Sequence, residues 1–198
     1  MRLANWAASL LSLLGVAGTA GLPLAEVSQA GRLPQNGEAS GKEPRDPWKS
    51  SAGKVVVFIF VRTDCPVSNR YAPEIQRISA EHASDVAFWL VYPDKRETFA
   101  EIQKHNLEYH YTLPVLRDPQ RDLIKRGEVT VTPEAAVFDA KGRLVYHGRI
   151  DNWFEDFGRA RPAPTTHELE VAIAAAVSGR PRTLPSVNAV GCYLSDLP

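Results

Sequence analysis

Sulfur is scarce in this chain. Its 198 residues hold one methionine and two cysteines, Cys65 and Cys192. So few cysteines exclude a disulfide-rich scaffold, and no Cys-x-x-Cys or His-x-x-x-His spacing supports a preformed zinc or copper site. Net charge is missing too, because 23 Lys and Arg balance 23 Asp and Glu. Without a basic excess the electrostatic case for nucleic acid falls away. Beyond the N-terminus no uncharged apolar run is long enough to cross a bilayer. Internal repeats are absent. What remains, 44% hydrophobic overall, suits one globular domain with a real core plus some extra segments.

The N-terminus reads as a secretory signal. Arg2 supplies the positive start, Leu3 to Val16 are mostly apolar, and Gly18-Thr19-Ala20 offers small residues for cleavage, with a second cut site after Ala25. Residues 1–25 are therefore expected to direct export to a periplasmic or extracellular space, or to tether the domain there if left uncut. Such a compartment permits disulfides. Residues 26–51, rich in Gly, Pro, Ser and charge without a hydrophobic period, read as a flexible linker. The folded domain is expected over 52–181, and a tail over 182–198 carries Cys192.

Within the domain, Val55 to Val61 is β-branched and aromatic, which predicts a buried strand. Tyr71, Ile75, Ile78 and His82 recur at three- and four-residue steps and predict a helix face after Val67. Val86 to Tyr92 predicts a second buried strand, Arg96 to Asn106 a helix, Leu113 to Leu116 a short extended piece, and Pro119 to Lys125 a short helix ended by Gly127. Ala135 to Phe138 and Arg143 to Gly148 flank a turn at Asp139-Ala140-Lys141-Gly142, a hairpin signal. Thr165 or Thr166 should cap a last helix carrying Leu169, Ile173 and Val177, stopped by Gly179 and Pro181. Parallel strands with helical crossovers followed by an antiparallel end make an α/β sandwich around a mixed sheet.

Cys65 carries the chemistry. A buried strand delivers it to the mouth of a helix beginning at Pro66, where backbone N–H groups and the helix dipole favour a thiolate. A lone thiolate forms mixed disulfides but needs a second thiol to resolve them. Cys192 is the only internal candidate, and the dozen residues after Gly179, at roughly 3.3 Å each, can bring it across the domain. A redox-active pair, a structural staple and two independent thiols all remain open. Arg62 can lower the Cys65 pKa, hold an oxyanion or carboxylate, or sit solvated. Asp64, if its carboxylate points inward, opposes ionisation, and Ser68 offers a hydroxyl to the sulfur or to backbone. Tyr109-His110-Tyr111 reads as packing or a substrate-side surface. Arg149 and Asp151 are expected to pair and to fix the segment leading to Trp153 and Phe154, the alternative being a surface that helps bind a partner. No cofactor and no metal is expected.

Taken together, Asp64-Cys65-Pro66-Val67-Ser68-Asn69-Arg70-Tyr71-Ala72-Pro73-Glu74, Thr132-Pro133-Glu134, Gly148-Arg149-Ile150-Asp151 and Val190-Gly191-Cys192 resemble a known group. The chain resembles the thioredoxin-like superfamily, and within it secreted redoxin proteins of the alkyl-hydroperoxide-reductase/thiol-specific-antioxidant (AhpC/TSA) type, over about Lys54 to Cys192. The resemblance implies a three-layer sandwich with a mixed central sheet flanked by helices. It also implies that Thr132-Pro133 is a cis-proline loop facing Cys65, where a partner's chain can pair in extended form. There are departures. Arg62 and Ser68 stand where a second thioredoxin cysteine would be, and Thr63 lies two residues before Cys65 where peroxiredoxins place a Thr three before. The copper chaperones of this fold use two loop cysteines, and here there is one.

These features lead to an exported thiol–disulfide oxidoreductase with Cys65 as reactive sulfur, Cys192 as the resolving one, and Thr132 and Pro133 presenting substrate backbone. Its partners would be cysteines of other exported proteins, or a small thiol or peroxide, with an external reductant. A peroxide reductase passing through a Cys65 sulfenic acid and a non-catalytic, copper-handling scaffold are the alternatives.

Overall fold

All six residues of Val55–Phe60 (β1) are buried. Alternate side chains of a strand point to opposite faces, so Val55, Val57 and Ile59 join one apolar cluster while Val56, Phe58 and Phe60 join another. β1 is thus covered on both sides, which is why it reads as an unbroken apolar run. The computed structural model describes residues 46–51, 53–179 and 184–197. The expected signal segment and most of the expected linker lie outside these residues.

Val86–Tyr92 (β2) lies parallel to β1, and Val115–Arg117 (β3) parallel to β2. After a short strand Val131–Thr132 (β4), Glu134–Phe138 (β5) runs antiparallel along the other side of β1, and Leu144–Gly148 (β6) lies outside it. The sheet order is β3-β2-β1-β5-β6, the mixed sheet expected. Pro47–Ser50 (α1), Pro66–Glu81 (α2), Phe99–Glu108 (α3), Asp122–Gly127 (α4) and Glu168–Val177 (α5) are the helices, with a small ribbon of Phe154–Asp156 (β7) and Arg159–Ala160 (β8). The faces of α2 (Tyr71, Ile75, Ile78) and α5 (Leu169, Ile173) pack into the first cluster. Trp48 of α1, Leu123 and Ile124 of α4, and Leu194 and Leu197 near the C-terminus close the second. The result is a three-layer α/β sandwich.

Several expectations move. The last residues of the expected linker fold: Asp46 caps α1 by accepting from the Trp48 and Lys49 N–H groups, and Trp48 packs edge-on against Phe58 and Phe138 at 5.3 and 5.0 Å. α4 starts at Asp122 rather than Pro119, because the Asp118 carboxylate accepts from the Asp122 and Ile124 N–H groups and leaves the preceding residues as a turn. Neither Thr165 nor Thr166 is the N-cap of α5. Asn152 Oδ1 draws both of their N–H groups away, at 2.7 and 3.1 Å, and the helix starts after His167. His82 ends α2 as its C-cap. Arg149 pairs with Glu168 rather than Asp151, whose carboxylate instead accepts from the Tyr71 hydroxyl (2.6 Å) and the Trp153 N–H (2.8 Å).

Residues 184–197 are no loose tail. The Leu184 N–H donates to Val145 O and the Arg149 N–H to Val187 O, fastening the chain along β6. Cys192–Tyr193 (β9) then pairs antiparallel with β4. A 3-10 turn at Leu194–Asp196 follows, with Leu194 and Leu197 buried in the second cluster. This segment straps the sheet edge to the opposite layer. Among the described residues, no helix is long and apolar enough to cross a membrane.

Candidate active site

Cys65 is the N-cap of α2, the position where Ser, Thr, Asp or Asn usually accepts from an orphan N–H. Here a sulfur does so, accepting from the Ser68 N–H at 3.5 Å. Pro66 at N1 has no N–H to satisfy, and its fixed φ suits the helix start. The Thr132–Pro133 peptide is cis, and Thr132 O accepts from the Cys65 thiol at 3.1 Å. The register of β9 on β4 sets Cys192 opposite Thr132, and the Cys192 thiol donates to Cys65 Sγ at 2.7 Å. Both cysteines are free thiols, standing little farther apart than the roughly 2.05 Å of a disulfide bond. Cys65, Thr132, Pro133 and Cys192 therefore converge, although up to 127 residues separate them in sequence.

Access to the pair differs from expectation. Cys65 is 0% exposed rather than open to solvent, because the strap lies over it. Cys192 is half-buried. Gly191 makes this close lid feasible: a Cβ there would fall 2.0 Å from Thr132 O, so only a residue without a side chain can lie against the cis peptide.

The two thiols are electrostatically unlike. Burial pushes the Cys65 pKa up, but the Cys192 thiol and the Ser68 N–H donating to its sulfur outweigh it, and the net direction is down. Cys192 is pushed up to about 12 by burial and by its position as donor beside Cys65. Cys65 is the more acidic sulfur of the pair, and Cys192 the more basic. Arg62, nearly buried, pairs with Asp64 at 2.8 Å and so does not hold a free anion through that edge. Its charge lowers the pKa of Cys192, while Asp64, exposed rather than turned inward, raises it.

Other residues hold the loops. Glu97, buried between β2 and α3, accepts from the Thr63 N–H at 2.6 Å. Asn69 donates to Thr63 O and contacts His105 Nε2 at 2.8 Å, and His105 Nδ1 contacts the Tyr92 hydroxyl at 2.7 Å. This polar relay backs the loop 62–65. His105 also packs between Tyr109 and Tyr111. Buried Glu134 accepts from the Thr130 and Val131 N–H groups (2.9 and 3.2 Å), anchoring the strand before Pro133. Sequence reasoning assigned none of these three acidic and imidazole groups to the site. The one available signal was the capping-box pattern Thr98-x-x-Glu101, which puts Glu97 directly before a helix start.

Among the described residues, three metal-type ligands come together only at Glu74, Asp151 and His167, a group that includes neither thiol. A Cys–Cys–His centre is not assembled there.

Known proteins of this architecture include an uncharacterised conserved protein from Geobacillus kaustophilus, 22% identical, with TM-score 0.60, covering 73% of this chain and 78% of that one. A hypothetical protein from Sinorhizobium meliloti 1021 is 21% identical, with TM-score 0.60, covering 74% and 81%. A Chlorobium tepidum protein described as a candidate thiol:disulfide interchange protein DsbE is 20% identical, with TM-score 0.51, covering 65% and 84%. At these identities the likeness is one of fold. No curated protein matches the sequence. The Redoxin family model matches residues 36–157, a stretch that holds the sheet, Cys65 and the cis-proline loop; the chain belongs to the redoxin family.

Proposed function

We propose that this redoxin is an exported thiol–disulfide oxidoreductase in which Cys65 and Cys192 cycle between dithiol and disulfide. The observation that carries this reading is the 2.7 Å contact between the two sulfurs at a helix N-cap beside Pro133. A merely structural staple requires no acidity difference, yet here one thiol is acidified and the other holds its proton. That asymmetry suits exchange, since the more acidic sulfur is the better leaving group. Export rests on the N-terminal signal pattern, and an oxidising compartment supplies thiol and disulfide partners. A peroxide reductase is less well supported, because peroxide would have to reach a sulfur with no exposed surface.

The test is dithiol–disulfide exchange between the purified protein and a dithiol peptide. Disulfide-bonded wild type should oxidise the dithiol peptide, and reduced wild type should be oxidised by the disulfide peptide, both mixtures reaching the same equilibrium position. Cys65→Ser and Cys192→Ser should each abolish the exchange. A pair that forms but resists the dithiol would be a staple, and the reading would fail.

A further inference from the structure

The strap decides which sulfur a partner meets. Cys65 has no exposed surface, whereas Cys192 is half-buried beside Tyr193, which is 62% exposed. The backbone near Cys65 is closed as well. Val131 and Thr132, with which a visiting extended chain would pair, are already paired with Tyr193 and Cys192. Gly191 seals the Thr132–Pro133 peptide at a distance no side chain fits. Both flanks of Cys192 are fastened. Upstream, Val187 bridges to Gly148 and its carbonyl accepts from the Arg149 N–H. Downstream, the Leu194 N–H donates to Thr130 O and the Leu194 side chain is buried.

Resting on the redox-pair reading, we propose that partner thiols exchange at Cys192, and that Cys65 is an internal sulfur that forms no bond to a partner. This reverses the roles expected from sequence, where Cys65 attacks and Cys192 resolves. The partner class is a dithiol, or its disulfide, whose sulfurs project far enough to reach a half-buried thiol, because strand addition beside Pro133 is blocked.

The chemistry balances. In the oxidised protein a partner thiolate attacks Cys192 Sγ: the partner–Cys192 bond forms, the Cys65–Cys192 bond breaks, and Cys65 leaves with the electron pair. The Ser68 N–H is placed to receive that charge. The partner's second thiolate then attacks its own sulfur in the mixed disulfide. The partner disulfide forms, and Cys192 departs and takes up a proton. Two electrons have passed from partner to protein, and of the two partner protons one is on Cys192 and the other goes to Cys65 or to solvent according to pH. A disulfide partner reverses the sequence. In that direction Cys192 gives its proton to solvent and attacks one partner sulfur, the other partner sulfur leaves as a thiolate, and Cys65, as a thiolate, then attacks Cys192 Sγ, so that the internal disulfide forms and the second partner thiolate departs.

Oxidised glutathione is the probe. Wild type, Cys65→Ser and Cys192→Ser are incubated with it, acid-quenched and mapped by mass spectrometry, and diamide-treated wild type is checked for the internal disulfide. The expected result is that Cys65→Ser accumulates glutathione on Cys192 many-fold faster than Cys192→Ser does on Cys65. Early-quenched wild type, which depends on no variant's folding, should carry any adduct on the Cys192 peptide. Adduct predominantly on Cys65 in wild type, or faster in Cys192→Ser, would overturn the assignment while leaving the pair intact. Absence of the internal disulfide after diamide would instead sink the redox-pair reading beneath it.

Discussion

Gly191→Ala tests the strap with a single methyl group. Its Cβ would lie 2.0 Å from Thr132 O, 2.7 Å from Thr132 C and 3.2 Å from Pro133 N. All three are backbone atoms at the foot of β5, and no side chain can swing aside to relieve the overlap. The strap must lift, and Cys192 rides on it. Overpacking of this kind costs about 1–3 kcal/mol. The central sheet does not include the strap, so the cost falls on closing Cys192 over Cys65. The disulfide should weaken by about 5- to 150-fold in its equilibrium with glutathione, the range corresponding to that cost. The assay is the fraction of paired cysteine across a series of reduced-to-oxidised glutathione ratios, read by alkylation and mass. Ser186→Ala, on the exposed part of the same strap, should leave the midpoint unchanged. If Gly191→Ala holds its disulfide as tightly as wild type, the strap is not what brings the sulfurs together.

Thiolate absorbance of the reduced protein should rise below the pH of an ordinary thiol, should lose that step in Cys65→Ser, and should shift it upward in Cys192→Ser, where the donor to the thiolate is altered. The sign for stability follows. From the lowered Cys65 pKa up to about 8.5, the unfolded chain binds more protons at this site, so reduced wild type should gain stability relative to Cys65→Ser as pH rises. At higher pH the Cys192 pKa of about 12 reverses the trend, because the folded thiol then keeps a proton that the unfolded chain releases. Glu97→Ala should destabilise by about 1–3 kcal/mol in urea unfolding by leaving the half-buried Thr63 N–H without its partner, with Glu97→Gln recovering much of the loss. Leu194→Ala removes a strap anchor that is 4% exposed. It should cost about 2–5 kcal/mol if the strap unfolds with the core, and less if the strap opens alone, which hydrogen exchange at Cys192 and Tyr193 distinguishes.

Much of the fold was legible in the chain because its centre is buried on both faces. β1 and β2 announce themselves as runs of Val, Ile and aromatic residues, and β2 matches its expected bounds from Val86 to Tyr92. Where tertiary contacts decide, local pattern failed. α1 is four residues long and persists through the Asp46 cap and the seat of Trp48 on Phe58 and Phe138, neither of which has a periodicity to read. The start of α5 was misplaced because Asn152, distant in sequence, takes the Thr165 and Thr166 N–H groups. At the site, Cys65 before Pro66 was visible as a helix-mouth thiol, and the reach of Cys192 followed from chain length. That the strap would cover Cys65 was not visible, since it depends on the Gly191 approach and the β4–β9 register. Glu97 and Glu134 were hidden for a related reason: each serves a loop N–H that only the folded chain brings near.

The measurement bearing most directly on a redox pair is the intact mass of the unreduced protein across a glutathione redox series, with the paired peptides identified. The expected result is a single reversible two-electron step linking Cys65 to Cys192, lost when either cysteine is replaced by serine. Two thiols that stay free under oxidising glutathione, or a bond that no physiological dithiol opens, would contradict it.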